Sequence, residues 1–294
     1  MRTNPVARRT FLAGGAAVAL AACGGSEVNL VDEPSITPSR LGVRFADGFR
    51  APTTAAVESG PQRFPFVVIA DDGFPMSQGA PESIEIELSF AGEVLSVETV
   101  MARGNGQVIP YYPLVFTPPA AGNYLAKTAF SDLAVEFTVS ARADVALFQV
   151  GEPLPPFDTP TFTDGRGVDP VCTRATPCPF HEITLAEAVG NGLPTALLIS
   201  TPEFCQTDVC GPAVEWLIEH GEGRTDMNFV HAEVFADPRN PDPRPFPELS
   251  PLLVDWGFEF EPALFVADAT GTITGAVHFA IDSDEMAEAI ATAG

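Results

Sequence analysis

The hydrophobic period of this chain changes once along its length, and that change limits what it can fold into. From about Leu41 to Ala143 apolar and polar residues alternate with a period of two. The segments 64–70 (FPFVVIA), 83–90 (SIEIELSF), 93–102 (EVLSVETVMA), 108–116 (VIPYYPLVF), 122–130 (GNYLAKTAF) and 133–141 (LAVEFTVSA) read as strands. In the second of these, Ile84, Ile86, Leu88 and Phe90 fall on one face and Glu85 and Glu87 on the other, because successive strand side chains point to opposite sides. Turn signals at Asp71-Asp72-Gly73, Ala91-Gly92, Gly104-Asn105-Gly106 and Pro118-Pro119 separate the segments. Short strands at this spacing with no helical window predict an antiparallel β-sandwich. Between residues 24 and 171 there is no Cys or His, so no chemistry is expected there.

From Thr184 the pattern is different. TLAEAVGNG reads as a short helix, and PTALLIST is a continuous apolar run of the kind a strand buried on both faces requires. GPAVEWLIEHG is a helix with Val214, Leu217 and Ile218 on one side. NFVHAEVFA is a second buried strand and ELSPLLVDWGF a short helix. PALFVADATGTITGAVHFAI is a hairpin turning at Asp268-Ala269-Thr270-Gly271, and DSDEMAEAIATAG an acid-capped final helix. The predicted order is α-β-α-β-α-β-β-α. Residues 144–182, rich in proline, connect the two patterns.

The N-terminal residues address the compartment. Arg8 and Arg9 precede an apolar run, Phe11 to Ala22, of twelve residues, short of the ~20 that a spanning helix needs. This reads as an export signal of the twin-arginine type. The run ends Leu20-Ala21-Ala22-Cys23-Gly24-Gly25, which resembles the lipobox of bacterial lipoproteins. The resemblance implies lipidation of Cys23 and an extracytoplasmic protein anchored to the bacterial membrane by its lipid. The organisation expected is a signal peptide over 1–22, a tether over 23–40, a sandwich over 41–143 and a second domain over 144–294. The chain carries a formal charge of −24 and a single lysine, Lys127. Such a surface repels nucleic acid, and no phosphate-cradling or dinucleotide motif is present; neither a nucleic-acid partner nor a cofactor is expected.

Besides Cys23 the cysteines are Cys172, Cys178, Cys205 and Cys210. An even number in an exported chain favours disulfides, and of the three formal pairings the local one, 172–178 with 205–210, closes the shortest loops. A 172–178 bond is expected as a structural staple of the connector. A five-residue spacer is not a usual zinc spacing, and His181 alone does not complete a four-ligand set, so no metal is expected. No role is assigned to His220 or His231, and His278 reads as an edge or core residue.

Two family resemblances add to this. TPPAAGNYLAKTAF resembles the late strands of immunoglobulin-like domains, where a Gly-x-Tyr enters a strand; Tyr124 is then either a corner tyrosine or an ordinary half-buried one. The C-terminal half resembles the thioredoxin family: the lead-in VGEPLPPFDTPT, the buried ALLIS followed by an aromatic, Cys and Gly-Pro, Pro262 after FEFE where the family carries its cis-proline, and the hairpin turn DATGTI. The resemblance implies an α/β thioredoxin-like domain, with Cys205 and Cys210 as a reactive pair and protein thiols or disulfides as partners. Gly211, Pro212 and Pro262 would form the surface that meets the partner. Ala213 stands where the family has its second active-site cysteine, and no acid lies in TALLIST where the family buries one.

A helix start at Gly211-Pro212 favours Cys210 as the attacking sulfur, because a thiolate there faces unsatisfied N–H groups and the positive end of the helix dipole. The alternative is Cys205, which follows an aromatic as the family's first cysteine does. The function implied is thiol–disulfide exchange on exported proteins. The rival is a redox-inactive scaffold on the same fold, and a more distant one is copper handling of the Sco type, a family with a Cys-x-x-x-Cys and a remote His. The lipobox yields the first test: Cys23→Ala should move the protein from the membrane to the soluble fraction, whereas unchanged partition would rule out the lipid anchor.

Overall fold

The structure is a computed structural model and describes residues 37–44, 57–104, 109–204, 209–239, 248–257 and 260–294. The expected signal peptide, Cys23 and most of the tether lie outside the described residues. Ile36–Gly294 forms one compact unit. It is mostly β-sheet: three sheets with short helices attached to one of them. Among the described residues no helix is long and apolar enough to cross a membrane.

The first two sheets come from the period-two segment. Strands β1 (Pro38–Val43), β2 (Gln62–Ala70) and β5 (Tyr112–Phe116) form one, in the order β1-β2-β5. Strands β3 (Ser83–Phe90), β4 (Glu93–Met101), β6 (Gly122–Thr128) and β7 (Val135–Val139) form the other, in the order β4-β3-β6-β7. Every pairing in them is antiparallel. Ile84, Ile86 and Leu88 are buried as the alternation requires, and they meet Phe64, Phe66 and Val68 of the facing sheet in one core. Aromatic rings join the sheets: Phe64 and Phe137 lie 4.8 Å apart, and Phe116 and Tyr124 5.4 Å. Such pairs add ~0.5–1.5 kcal/mol beyond their burial. Tyr124 is fully buried, and its hydroxyl donates to the Ala120 carbonyl four residues upstream at 2.6 Å, the corner arrangement rather than a half-exposed ring. Strand β1 was not evident in the sequence; it begins inside the stretch expected to be tether.

The third sheet has the order β11-β10-β8-β9, built from β8 (Thr195–Ile199), β9 (Asn228–Ala232), β10 (Ala263–Ala267) and β11 (Ile273–His278). Strands β8 and β9 run parallel, and β10 pairs antiparallel with both β8 and β11. Strand β8, read as a continuous apolar run, and β9, read as a second buried strand, are buried at every residue, and so is β10, the first strand of the expected hairpin. Helices α1 (Leu185–Ala188) and α3 (Pro251–Trp256) pack on one face. Helices α2 (Cys210–Gly221) and α4 (Ser283–Ala291) pack on the other. The chain order of these elements is the one the sequence predicts. The hairpin turn is held by Asp268, whose carboxylate accepts from the N–H groups of Thr270 (2.8 Å) and Thr272 (3.1 Å) while Gly271 takes a φ of +86°, a backbone region open to glycine.

One largely enclosed ion pair ties the sandwich to the third sheet. Arg63 of β2 grips Glu285 of α4 with two nitrogens, at 2.8 and 2.7 Å, and also donates to the carbonyls of His278 (3.0 Å) and Ala280 (2.7 Å). The Tyr111 hydroxyl donates to the same carboxylate. Removing one partner of such an enclosed pair leaves the other charge uncompensated. Arg63→Met should therefore lower the unfolding free energy by about 3–5 kcal/mol, read from urea denaturation, and adding Glu285→Met should recover much of that loss. A single-mutant loss under about 1 kcal/mol would mean that the pair is not buried in solution.

Candidate functional site

Candidate functional side chains collect at the carboxyl ends of the parallel strands β8 and β9. Cys210 is the first residue of α2, is fully buried and is disulfide-bonded; Cys205, its expected partner, lies outside the described residues. Gly211 and Pro212 form the first turn, half-buried, with the Pro202 carbonyl against Gly211. Ile199 at the end of β8 pairs with Ala263, and the Thr201 N–H donates to the Glu261 carboxylate at 2.6 Å. These contacts set the Glu261–Pro262 segment beside the exit from β8, and its peptide bond is cis, as the family resemblance implied.

Two expected roles change in this setting. Helix-start electrostatics favoured Cys210 as the attacking sulfur, but a fully buried residue offers no approach to a partner protein. Pro262 was expected to hold a partner's backbone; it is buried, has no N–H, and its carbonyl already accepts from Phe279 at 2.9 Å.

A second cluster forms where the connector crosses the edge strand β9. The His231 N–H donates to the Phe180 carbonyl at 3.1 Å, so residues 178–181 lie along the free edge of β9. His231 sits opposite Leu198 in the parallel register and on the same face as Phe229, toward α2. Its Nε2 reaches the Ser200 carbonyl at 3.0 Å. Its Nδ1 lies 3.1 Å from His181 Nε2, 3.5 Å from Cys178 Sγ and 3.9 Å from Cys172 Sγ. The donor atoms of Cys172, Cys178, His181 and His231 all lie within 4.8 Å of one another, and the four residues are 3%, 0%, 1% and 0% exposed, so solvent does not reach them. This set can hold a metal ion.

The expected 172–178 staple is absent: both cysteines are free thiols. A disulfide needs sulfurs ~2.05 Å apart, whereas here both face the His231 ring and the Cys178 N–H donates to Cys172 Sγ at 3.4 Å. The thiols share their protons unequally. The hydrogen bond from Cys178, together with those from His181 and His231, holds Cys172 well below the usual thiol range against the effect of burial. That same hydrogen bond to Cys172, with burial, pushes Cys178 well above it. For His231, burial opposes the charge, but Cys172 and Glu233 outweigh it and raise the ring's pKa. Burial lowers that of His181.

Two acids, the buried Glu233 and the half-buried Glu261, complete the region. Glu233, one residue past β9, accepts the Thr173 N–H at 2.5 Å, and burial raises its pKa to about 7. Burial likewise raises Glu261 to about 7, against the bond from Thr201. The remaining histidines stand apart: His220 links α2 to Ser283, with Nε2 3.0 Å from its hydroxyl, and His278 packs against Phe260 and Phe265.

Sequence reasoning missed His181, His231, Glu233 and Glu261. Signals were present: Cys178-x-x-His181 is a ligand-like spacing, and His231 and Glu233 interrupt an otherwise apolar strand segment. What could not be read was that residues fifty apart meet at one strand edge.

No family model and no curated protein matches the chain. Among solved structures, the titin M10–obscurin-like 1 Ig mutant complex is similar at 19% identity over 36% of this chain and 95% of that one, TM-score 0.21. An engineered protein is similar at 18% identity over 34% and 19%, TM-score 0.20. A metagenome-derived glycoside hydrolase family 9 endoglucanase is similar at 15% identity over 46% and 27%, TM-score 0.24. The chain therefore spans about a fifth and about a quarter of the last two.

The acid Glu261 yields a pH test. A carboxyl whose folded pKa is raised from 4.5 to about 7 contributes stability that is fully present below pH ~4.5 and lost as pH rises to ~7, because only the unfolded state ionises freely in that window. Melting temperature should fall across it, and Glu261→Gln should flatten part of the fall. An unchanged slope in the variant would show that Glu261 is ionised in the fold.

Proposed function

We propose that this chain is an exported, lipid-anchored protein in which an immunoglobulin-like sandwich carries a thioredoxin-like domain, and that it exchanges thiols and disulfides with other exported proteins. The observation that carries the reading is the disulfide-bonded Cys210 at the first residue of α2, the helix that follows a buried parallel strand. Support comes from the sheet order β11-β10-β8-β9 with helices on both faces and from the approach of the Glu261–Pro262 segment to the end of β8. The anchor and the compartment rest on the N-terminal sequence.

The burial of Cys210 divides the labour in the pair. Cys205 meets the partner and Cys210 resolves. In the reducing direction the Cys205 thiolate attacks one sulfur of a partner disulfide, forming a mixed disulfide and releasing the other partner sulfur as a thiolate. The Cys210 thiolate then attacks Cys205, which restores the 205–210 bond and releases the second partner thiolate. Two electrons pass from the pair to the partner, and the reverse sequence oxidises the partner. The helix N-terminus stabilises a thiolate on Cys210 as it forms. Glu261, with its pKa raised to about 7, supplies a proton carrier at the edge of β8 in place of the acid missing from TALLIST. Because Pro262 is engaged with Phe279, backbone pairing to a partner falls to Glu261.

The test is a redox titration with glutathione and dithiothreitol, followed by alkylation and peptide mass analysis. The 205–210 bond should titrate above about −300 mV, the region below which structural disulfides of secreted proteins usually lie, and Cys205→Ala should abolish reduction of a model disulfide substrate. If the bond resists reduction and Cys210→Ser changes only the melting temperature, the chain is a scaffold and not an exchange enzyme.

A further inference from the structure

We propose that Cys172, Cys178, His181 and His231 form a closed, tetrahedral site for a divalent ion of the zinc type. This site uses none of the residues of the 205–210 pair. Bond lengths of ~2.3 Å to Cys sulfur and ~2.0–2.1 Å to His nitrogen at tetrahedral angles put neighbouring donor atoms ~3.3–3.8 Å apart. Of the separations from His231 Nδ1, 3.5 Å falls inside that range and 3.1 and 3.9 Å lie just outside its two ends, so small side-chain shifts would close the tetrahedron. Two sulfurs and two imidazole nitrogens in this geometry select zinc over the hard, oxygen-seeking ions. All four residues are buried, so no coordination position opens to solvent, which is the mark of a structural rather than a catalytic zinc site.

The surroundings are set for a cation. His231 Nε2 faces the Ser200 carbonyl; a carbonyl only accepts, so Nε2 carries the proton and Nδ1 presents its lone pair to the cluster. The Cys178 N–H already donates to Cys172 Sγ, as a backbone amide does to a thiolate. Glu233 lies 1% exposed beside His231, and its Oε2 has no hydrogen-bond partner; a divalent ion nearby offsets the cost of a buried carboxylate.

Charge and protons balance. Without an ion the cluster holds two exchangeable protons, either one on each thiol or one on Cys178 and one on the His231 imidazolium beside a Cys172 thiolate. Binding releases both to solvent, and two thiolates neutralise the ion. The ligands come from the connector and from β9, fifty to sixty residues away, so the ion clips the connector to the sheet edge. The connector also packs against α2 there, through the Arg174–Glu215 pair at 2.6 Å and the core around Val209, Ala213 and Val214. The ion thus steadies the ground on which the helix of Cys210 stands.

The test uses the full chain purified under reducing conditions, dialysed against Zn²⁺ and then desalted. One equivalent of zinc should remain by elemental analysis. It should also remain in Cys210→Ser, which removes the exchange pair and so separates this proposal from the preceding one. It should be lost in Cys178→Ser and in His181→Asn, with affinity falling more than the ~10–100-fold that loss of an outer-shell partner costs. Co²⁺ as a probe should give intense visible bands and a thiolate charge-transfer band in the intact chain, a readout that does not depend on any variant folding. Zinc should raise the melting temperature by about 5–10 °C at a hundredfold excess over its dissociation constant. Substoichiometric zinc, a weak six-coordinate Co²⁺ spectrum, retention by Cu(I) alone, or a 172–178 disulfide in non-reduced peptides from cells would each overturn the proposal.

Discussion

The imidazole of His231 has to be satisfied inside a core that admits no water, and much of the third sheet is arranged around that requirement. A polar ring buried without partners costs a few kcal/mol. Here one ring nitrogen reaches the Ser200 carbonyl at the end of β8, and the other faces two sulfurs and a second imidazole brought in by the connector. The proline-rich segment is held in the one path that carries Cys172, Cys178 and His181 past the edge of β9. The hydrogen bond from the His231 N–H to the Phe180 carbonyl fixes that path at the backbone level. An edge strand whose free N–H groups would otherwise invite foreign pairing is thereby partly covered by the protein's own connector.

The carboxyl ends of parallel strands gather function because the chain must leave them through loops that face one common edge. Strand β8 leads through residues 200–209 to Cys210, and β9 leads at once to Glu233, while the antiparallel β10 brings Glu261 and Pro262 back to the same edge. Two states of cysteine are kept distinct by partners: Cys210 is bonded to sulfur, and Cys172 and Cys178 face histidine. Their differing surroundings, and not their residue type, set what each sulfur can do.

The sandwich carries no Cys or His. It joins the third sheet through Arg63, whose guanidinium is enclosed by a carboxylate and two carbonyls, and through the Asp282 carboxylate, which caps α4 and also accepts the Gly104 N–H at 2.8 Å. Both contacts end on the hairpin-to-α4 region, so the sandwich braces the side of the sheet away from β9.

By itself the sequence determined the parts whose burial is local and periodic. SIEIELSF alternates and forms β3 with its apolar side inward; TALLI, NFVHA and ALFVA are mostly apolar and form strands covered on both faces; Asp268-x-x-Gly271 forms the turn. Each follows from the side-chain period of its own segment. The tertiary structure decided what depends on register between distant segments. Cys172 and Cys178 read as a disulfide because closing a short loop is the cheapest local solution; His231, supplied by another strand, gave both sulfurs a different partner. The accessibility of Cys210 likewise depends on what α2 packs against, and the pKa of Glu261 on how deeply the fold buries it. Spacing along a chain records neither, because both arise only when strands remote in sequence come to lie side by side.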